Sequence, residues 1–378
     1  MMIPRYIAKT ILQRLKQSKK IIILYGARQV GKTTLIKTIL ENDFGKVLEI
    51  NADQYRYRDI LSSADITQIR RLVSGYDLLF IDEAQQIPDI GLNLKIITDN
   101  MPELKIIATG SSSFDLANKI SEPLTGRKWT FQLFPISVLE LSTIKNPFEI
   151  DASLPDFLNY GMYPEVFSFE NRLDKMDYLK EISESFLYKD ILILSQIKNS
   201  GKIYELLKLL AFQIGSPVSY SELGRKLGLS TDTVISYIDL LEKVFVIYRL
   251  PGFSRNLRKE ITKNKKIYFY DTGIRNVIIE DFSPPEKRPD IGALWENFVI
   301  TERLKSNFYK RAHVNAYFWR TYTGAELDYI EESSGKLTGV EVKWRKRKAK
   351  APQSWLEHYK NADYRFVNSE NYQSFLLL

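Results

Sequence analysis

The run Gly26-Ala27-Arg28-Gln29-Val30-Gly31-Lys32-Thr33, with Thr34 after it, constrains this chain more than any other stretch. It follows the apolar segment Ile21-Ile-Ile-Leu-Tyr25 and precedes the helical pattern Thr34-Leu-Ile-Lys-Thr-Ile-Leu40. Strand, Gly-x-x-x-x-Gly-Lys-Thr and helix together make a phosphate-binding loop. Glycines let the main chain turn and approach an anion closely, and successive backbone N–H groups wrap it. The helix that starts near Lys32 directs its positive end at the same place. In this reading residues 26–34 cradle the phosphates of a nucleotide, Lys32 reaches the β- and γ-oxygens, and the Thr33 hydroxyl ligates Mg²⁺. The alternative is a glycine-rich turn that matches by chance, which would leave the flanking strand and helix unexplained.

Such a site needs a second buried strand ending in acids. Asp77-Leu-Leu-Phe-Ile-Asp82-Glu83-Ala84 supplies one, its apolar run fitting a parallel strand. Asp82 is then the Mg²⁺ carboxylate, and Glu83 orients and polarises the attacking water. A third strand, Leu104-Lys-Ile-Ile-Ala-Thr109, runs into Gly110-Ser111-Ser112-Ser113. A polar residue there is placed to sense a γ-phosphate, and Ser111 is the candidate. The serines also suit a helix cap at Ser113.

No apolar run approaches the roughly 20 residues that span a bilayer, and Met-Met-Ile-Pro-Arg-Tyr lacks the apolar core of a signal peptide. The expected compartment is the cytoplasm. With no cysteine and two histidines, His313 and His358, thiolate and zinc chemistry are set aside. Residues 1–200 carry 25 basic and 25 acidic side chains, whereas residues 201–378 carry 29 and 21, so the whole net charge of +8 lies in the second half. That asymmetry points to a polyanion, most simply nucleic acid, as a partner of the C-terminal half.

Pattern changes divide the chain into an α/β core over 1–145, a helical connector or lid over 146–200, a third unit over 201–282 and a last one over 283–378 beyond the Pro-rich stretch at 283–289. The third unit reads as a winged helix. Ile203, Leu206, Leu207 and Leu210 share a helical face, Ser219-Tyr-Ser-Glu222 fits a capping box, and Ser230 caps a helix over 231–243. A hairpin between the strand-like runs 244–250 and 266–270 would be the wing, bearing Arg255, Arg258, Lys259, Lys263, Lys265 and Lys266. DNA contact and a purely structural role both remain open. The solvent face of the 231–243 helix holds Asp232 and Asp239 and has no basic residue before Lys243, which suits a phosphate-lined groove poorly.

The last unit carries a second constellation. A helix over 291–305 contains Glu296, a strand leads to Asp328, and Glu341-Val-Lys343 follows thirteen residues later. Strand alternation puts Glu341 and Lys343 on one face. An acid, a spacer and Glu-x-Lys in an α-β-β-β order is the pattern of restriction-endonuclease-like domains. Asp328 and Glu341 would share a divalent metal, Glu296 would complete its shell, and Lys343 would orient water. The other reading is an ordinary cross-strand ion pair in a docking domain. The basic run 343–350 at its edge either contacts nucleic-acid backbone or is a solvated loop.

Taken in order, Gly-Ala-Arg-Gln-Val-Gly-Lys-Thr-Thr, Phe-Ile-Asp-Glu-Ala-Gln, Ala-Thr-Gly-Ser-Ser-Ser, Leu124-Thr-Gly126-Arg127, Leu133-Phe-Pro135-Ile-Ser137 and Tyr268-Phe-Tyr-Asp271-Thr-Gly273 resemble the bacterial and archaeal AAA-type ATPases that carry a C-terminal domain of unknown function. The resemblance covers nearly the whole chain. It implies an α/β fold in which an AAA-type P-loop NTPase parallel sheet is followed by a winged helix and an α/β endonuclease-like domain. It also draws attention to Arg127 as a sensor or as a finger reaching a neighbour's γ-phosphate in a homo-oligomer, the plainer role being a salt bridge that supports its loop. The expected activity is Mg²⁺-dependent ATP hydrolysis coupled to a nucleic-acid-interacting C-terminal half. The alternative is a nucleotide switch that binds proteins through a silent terminal domain. A kinase-like or transport P-loop enzyme would leave the C-terminal half without a purpose.

Overall fold

The computed structural model describes residues 3–111, 123–185, 200–254, 265–321, 324–345 and 348–378. The apolar runs of the N-terminal part become a five-stranded parallel sheet. Its strands are β1 (Ile21–Tyr25), β2 (Val47–Asn51), β3 (Leu78–Asp82), β4 (Lys105–Gly110) and β5 (Lys128–Gln132), in the spatial order β2-β3-β4-β1-β5. Helices cover both faces, so every residue of β1 is buried, as continuous Val/Ile/Leu runs require. Burying each such side chain contributes roughly 1.5–3 kcal/mol, which is why β1 and β3 sit centrally while the more polar β2 lies at an edge. In register, Ile22 faces Ile107 and Leu79 faces Ile106. The strand β4 therefore lies between the glycine loop at the end of β1 and the acids at the end of β3.

The middle part holds the helices Ser200–Phe212, Tyr220–Leu227 and Thr231–Lys243. Ser219 and Ser230 cap the second and third by accepting from Glu222 N and Thr233 N, and Gly228 ends the second at φ +67°. A three-stranded sheet completes it: β6 (Pro217–Val218), β7 (Ile247–Leu250) and β8 (Lys265–Phe269), in the order β6-β8-β7. Asp239 and Glu242 of the third helix both hold Arg249 of β7, so the acids on that helix serve the fold. The last part begins with the helix Ile291–Tyr309 and continues through β9 (Asn315–Arg320), β10 (Glu326–Ser333), β11 (Lys336–Val342), the helix Gln353–His358 and β12 (Asp363–Val367). The sheet order is β12-β11-β10-β9; β10 is antiparallel to both neighbours and β12 runs parallel to β11.

These parts are joined through hydrogen bonds as well as packing. Phe253 N donates to Phe318 O and Phe318 N to Pro251 O, continuing the middle sheet onto the edge strand β9. Asn297 of the 291–309 helix satisfies both backbone groups of Phe269 in β8. From the same helix, Glu302 accepts from Val138 N and Lys305 donates to Ile136 O. Asp271 caps the short helix Thr272–Ile278 and also accepts from Met162 N. A Cβ on Gly161 would fall 2.0 Å from Asp271 Oδ1, and one on Gly273 would fall 2.2 Å from Tyr160 O. The motifs Leu133–Ser137 and Tyr268–Gly273 thus mark the junctions where the parts meet. Among the described residues, no helix is long and apolar enough to cross a membrane.

Candidate functional site

The glycine loop turns at the C-terminal end of β1. Leu133 N donates to Tyr25 O, which brings the chain after β5 so close that a Cβ at Gly26 would lie 2.3 Å from Leu133 O. Gln29 and Gly31 both have positive φ, at +57° and +91°, and Gly31 is the residue immediately before the helix Lys32–Leu40. Lys32 is 5% exposed, and its Nζ donates to Gly26 O and Ala27 O at 2.9 Å each, so the ammonium lies across the loop's own carbonyls. Thr33 Oγ1 donates to Asp82 Oδ2 at 2.7 Å, and Thr109 Oγ1 of β4 donates to Asp82 Oδ1. The hydroxyl and carboxylate expected to share Mg²⁺ are therefore adjacent. One carboxylate and one hydroxyl, with phosphate oxygens and waters for the rest, is a donor set that suits Mg²⁺.

Glu83 takes φ +53°, a left-handed conformation uncommon for a residue with a Cβ. Its carboxylate accepts from Gln85 Nε2, and the same amide nitrogen donates to Ser111 Oγ at 3.0 Å. Gln85 thereby links the candidate water-orienting acid to the candidate γ-phosphate sensor. Sequence reasoning did not single out Gln85 or Thr109, although both lie inside the motifs that carry the resemblance. The expected cap at Ser113 lies outside the described residues.

Arg127 is not brought to this site. It immediately precedes β5, where Ile21 N donates to Arg127 O, and so stands at the opposite end of β1 from the loop. Five strand residues separate the two ends, about 16 Å of rise. The side chain pairs with Asp99 at 2.9 Å, with both partners about 40% exposed. That placement keeps it away from the glycine loop of its own chain.

In the terminal part, Glu296, Asp328, Glu341 and Lys343 do converge. Lys343 Nζ lies 2.9 Å from both Asp328 Oδ2 and Glu341 Oε1. The cation between Glu296 and Asp328, however, is Lys266, which the sequence had suggested for an exposed wing. Its side chain is 1% exposed; its Nζ lies 3.1 Å from Glu296 Oε1, 2.6 Å from Glu326 Oε1 and 3.9 Å from Asp328 Oδ1. Glu296 also accepts from Tyr268 Oη at 2.6 Å, and Asp328 from Val342 N at 2.8 Å. Burial, and then the neighbouring Asp328, push the Glu296 carboxyl up to about 7 despite Lys266 and Tyr268. Burial opposes charge on Lys266 and Lys343, yet the facing carboxylates hold both ammoniums above the usual lysine range. Lys343 can thus orient a water molecule but cannot take its proton.

Glu296 Oε1 is held by Lys266 and Tyr268, Asp328 Oδ2 by Lys343 and Val342 N, and Glu341 Oε1 by Lys343. No cluster of three or more acids and histidines suited to a metal occurs among the described residues. Of the wing cations, Arg255, Arg258, Lys259 and Lys263 lie outside the described residues, as do Lys346 and Arg347 of the basic run.

A parallel sheet in the order β2-β3-β4-β1-β5, with a glycine loop ending one strand and an acid pair ending another, defines a P-loop ATPase of the AAA type. Residues 18–142 match the family described as "AAA domain", 151–284 a domain of unknown function (DUF8612), and 291–375 another domain of unknown function (DUF4143). The chain is 32% identical over 351 residues to the uncharacterized protein Rv2008c of Mycobacterium tuberculosis, covering 91% of this chain and 74% of that one. The uncharacterized protein MJ1544 of Methanocaldococcus jannaschii is 23% identical, with coverage of 82% and 72%. Among solved structures, the Walker-type ATPase PABY2304 of Pyrococcus abyssi aligns over 73% of this chain and 96% of its own, at 15% identity and a TM-score of 0.48. The chain belongs to the same family of AAA-domain proteins as Rv2008c.

Proposed function

We propose that the chain hydrolyses ATP with Mg²⁺ at the loop formed by residues 26–34, and that its terminal part is a binding module without a metal-dependent cleavage site. The observation that carries the first half is the direct contact between Thr33 Oγ1 and Asp82 Oδ2 beside the glycine loop. Thr33 and Asp82 would hold Mg²⁺, which when bound supplies positive charge against the β- and γ-phosphates. The backbone N–H groups of the loop bind the phosphate oxygens, and Lys32 exchanges its two loop carbonyls for them. Glu83 orients the attacking water, and Gln85 holds Glu83 in line with Ser111. Lys32→Ala should abolish most ATP affinity, measured by titration of a fluorescent analogue. Glu83→Gln should keep that affinity and lose turnover by on the order of 10²-fold or more. Wild-type turnover in Glu83→Gln would reject the assignment.

The second half rests on Lys266, whose buried ammonium pairs with Glu296 and Glu326 and lies 3.9 Å from Asp328 Oδ1. The same terminal carboxylates then serve as a buried ionic lock. On this reading the winged-helix and endonuclease-like patterns serve as scaffolds for binding. The excess of basic residues after position 200 favours nucleic acid as the partner. Duplex DNA should bind with little sequence preference, and log affinity should fall against log salt with a slope of about −0.9 per neutralised phosphate. Absence of binding at 50 mM salt would leave the protein-binding switch instead.

A further inference from the structure

The side chain of Arg5 is 8% exposed and reaches three segments of the molecule. Its Nε donates to Glu140 Oε1 at 2.9 Å and its Nη1 to Val30 O at 2.6 Å. Its Nη2 donates to Phe134 O at 2.5 Å and approaches Tyr309 Oη at 3.4 Å. Val30 belongs to the glycine loop, and Phe134 and Glu140 to the segment after β5. Tyr309 is the last residue of the helix Ile291–Tyr309. Burial works against the charge of Arg5, but Glu140 and Tyr309 raise its already high pKa further, so it stays a cation.

The contact with Val30 has a geometric consequence. In a trans peptide the C=O and N–H of one unit point in opposite directions. With Val30 O held by the guanidinium, the N–H of Gly31 is turned to the other side of that peptide, away from Arg5. There it can serve an anion. The positive charge on the carbonyl also polarises that peptide, strengthening its N–H as a donor. Arg5 approaches no nearer than the back of the loop, with Nη1 3.7 Å from where a Gly31 Cβ would stand. It is a positioning group.

The other end of the contact is Tyr309, whose hydroxyl accepts from Phe134 N at 3.2 Å while its ring stacks on Tyr6 at 6.0 Å. Phe134 packs against Tyr270, Phe308 and Tyr309. One guanidinium thus connects the nucleotide loop to the helix on which the terminal part is built. We propose that Arg5 sets the Val30–Gly31 peptide for nucleotide binding and, through Tyr309, couples occupancy of the loop to the position of the 291–309 helix. This rests on the nucleotide-site reading above.

The test uses full-length protein with Arg5→Gln, Arg5→Lys and Tyr309→Phe, with Lys32→Ala as the non-binding control. ATP affinity, turnover, thermal midpoint and amide hydrogen exchange over residues 300–309 are measured with and without ATP. Arg5→Gln should weaken ATP binding by about tenfold or more in the folded protein, and Arg5→Lys should recover part of that loss by keeping the charge. Tyr309→Phe should keep affinity within about threefold and abolish the change in exchange at 300–309 that ATP produces in wild type. A purely structural role would lower the thermal midpoint and leave the affinity of folded protein unchanged, and that result overturns the proposal. So does wild-type protein in which ATP leaves exchange at 300–309 untouched. Wild-type protein that binds ATP no better than Lys32→Ala would remove the nucleotide-site reading itself, with the coupling falling alongside it.

Discussion

Replacing Lys266 by methionine tests the ionic lock most directly, because methionine retains most of the apolar stem and deletes the charge. The ammonium is within 3.1 Å of Glu296 and 2.6 Å of Glu326, in a side chain 1% exposed. Removing one partner of a buried ion pair leaves the other charge uncompensated, at about 3–5 kcal/mol. The remaining cation, Lys343, is already shared by Asp328 and Glu341. The cost must depend on pH, and its sign follows from Glu296. In the folded protein this carboxyl titrates near 7, whereas it would titrate near 4.5 unperturbed. Between those values the folded state holds the proton more tightly, so rising pH lowers stability, by at most about 3 kcal/mol over the window. Lys266 is one of the groups that restrain the upward shift, together with the Tyr268 hydroxyl. Without it, Glu296 keeps its proton to higher pH and the window extends upward. Lys266→Met should therefore cost less at pH 5.5, where Glu296 is neutral in both proteins and only the contacts to Glu326 and Asp328 are lost, and approach the full ~3–5 kcal/mol by pH 8.5. Urea unfolding followed by tryptophan fluorescence is the assay, since Trp295, Trp319, Trp344 and Trp355 are four of the five tryptophans and lie in the terminal part. An equal loss at both pH values, or a loss below about 1 kcal/mol at pH 8.5, would refute the reasoning.

Two further outcomes are expected. Gln85→Ala should leave ATP affinity within about threefold and lower turnover by on the order of 10- to 100-fold, because Glu83 loses the amide that ties it to Ser111; steady-state kinetics with a separate binding titration separates the two. Arg127→Ala should change turnover by less than about threefold at low protein concentration, since Arg127 pairs with Asp99 at the far end of the sheet. A drop of 10³-fold, with specific activity in wild type rising with concentration, would instead make Arg127 a finger supplied by a neighbouring copy.

What the sequence disclosed was mostly local. The glycine loop, the acids after β3 and the caps at Ser219 and Ser230 are set by neighbours within a few residues, so spacing alone located them. Strand alternation likewise brought Asp328, Glu341 and Lys343 together. Lys266 escaped because its partners lie 30, 60 and 62 positions away, and a lysine in a basic run ordinarily faces water. Arg5 escaped for the same reason, its acceptors being scattered from Val30 to Tyr309. Arg127 is a different case. Strand β5 runs parallel to its neighbours, and the residue before a parallel strand must lie at the end of the sheet where strands begin. The glycine loop and the acids lie where strands finish. Arg127 precedes β5 and so lies at the end of the sheet away from the glycine loop.

The helix Ile291–Tyr309 bears on how such a chain can diversify. Its residues are buried against β8, the 134–138 segment and the terminal sheet, and Asn297, Glu302 and Lys305 each bond a backbone group outside the terminal part. Backbone donors and acceptors do not vary with sequence, but their positions must be reproduced to within a few tenths of an ångström. The terminal part is therefore poorly suited to exchange as a cassette between relatives. A substitute would have to bring its own matching helix, or recombination would have to carry the middle part along with it. The strand ends and loops that face away from this helix are under no such restraint, and changes there leave the helix and its bonds to the rest of the chain intact.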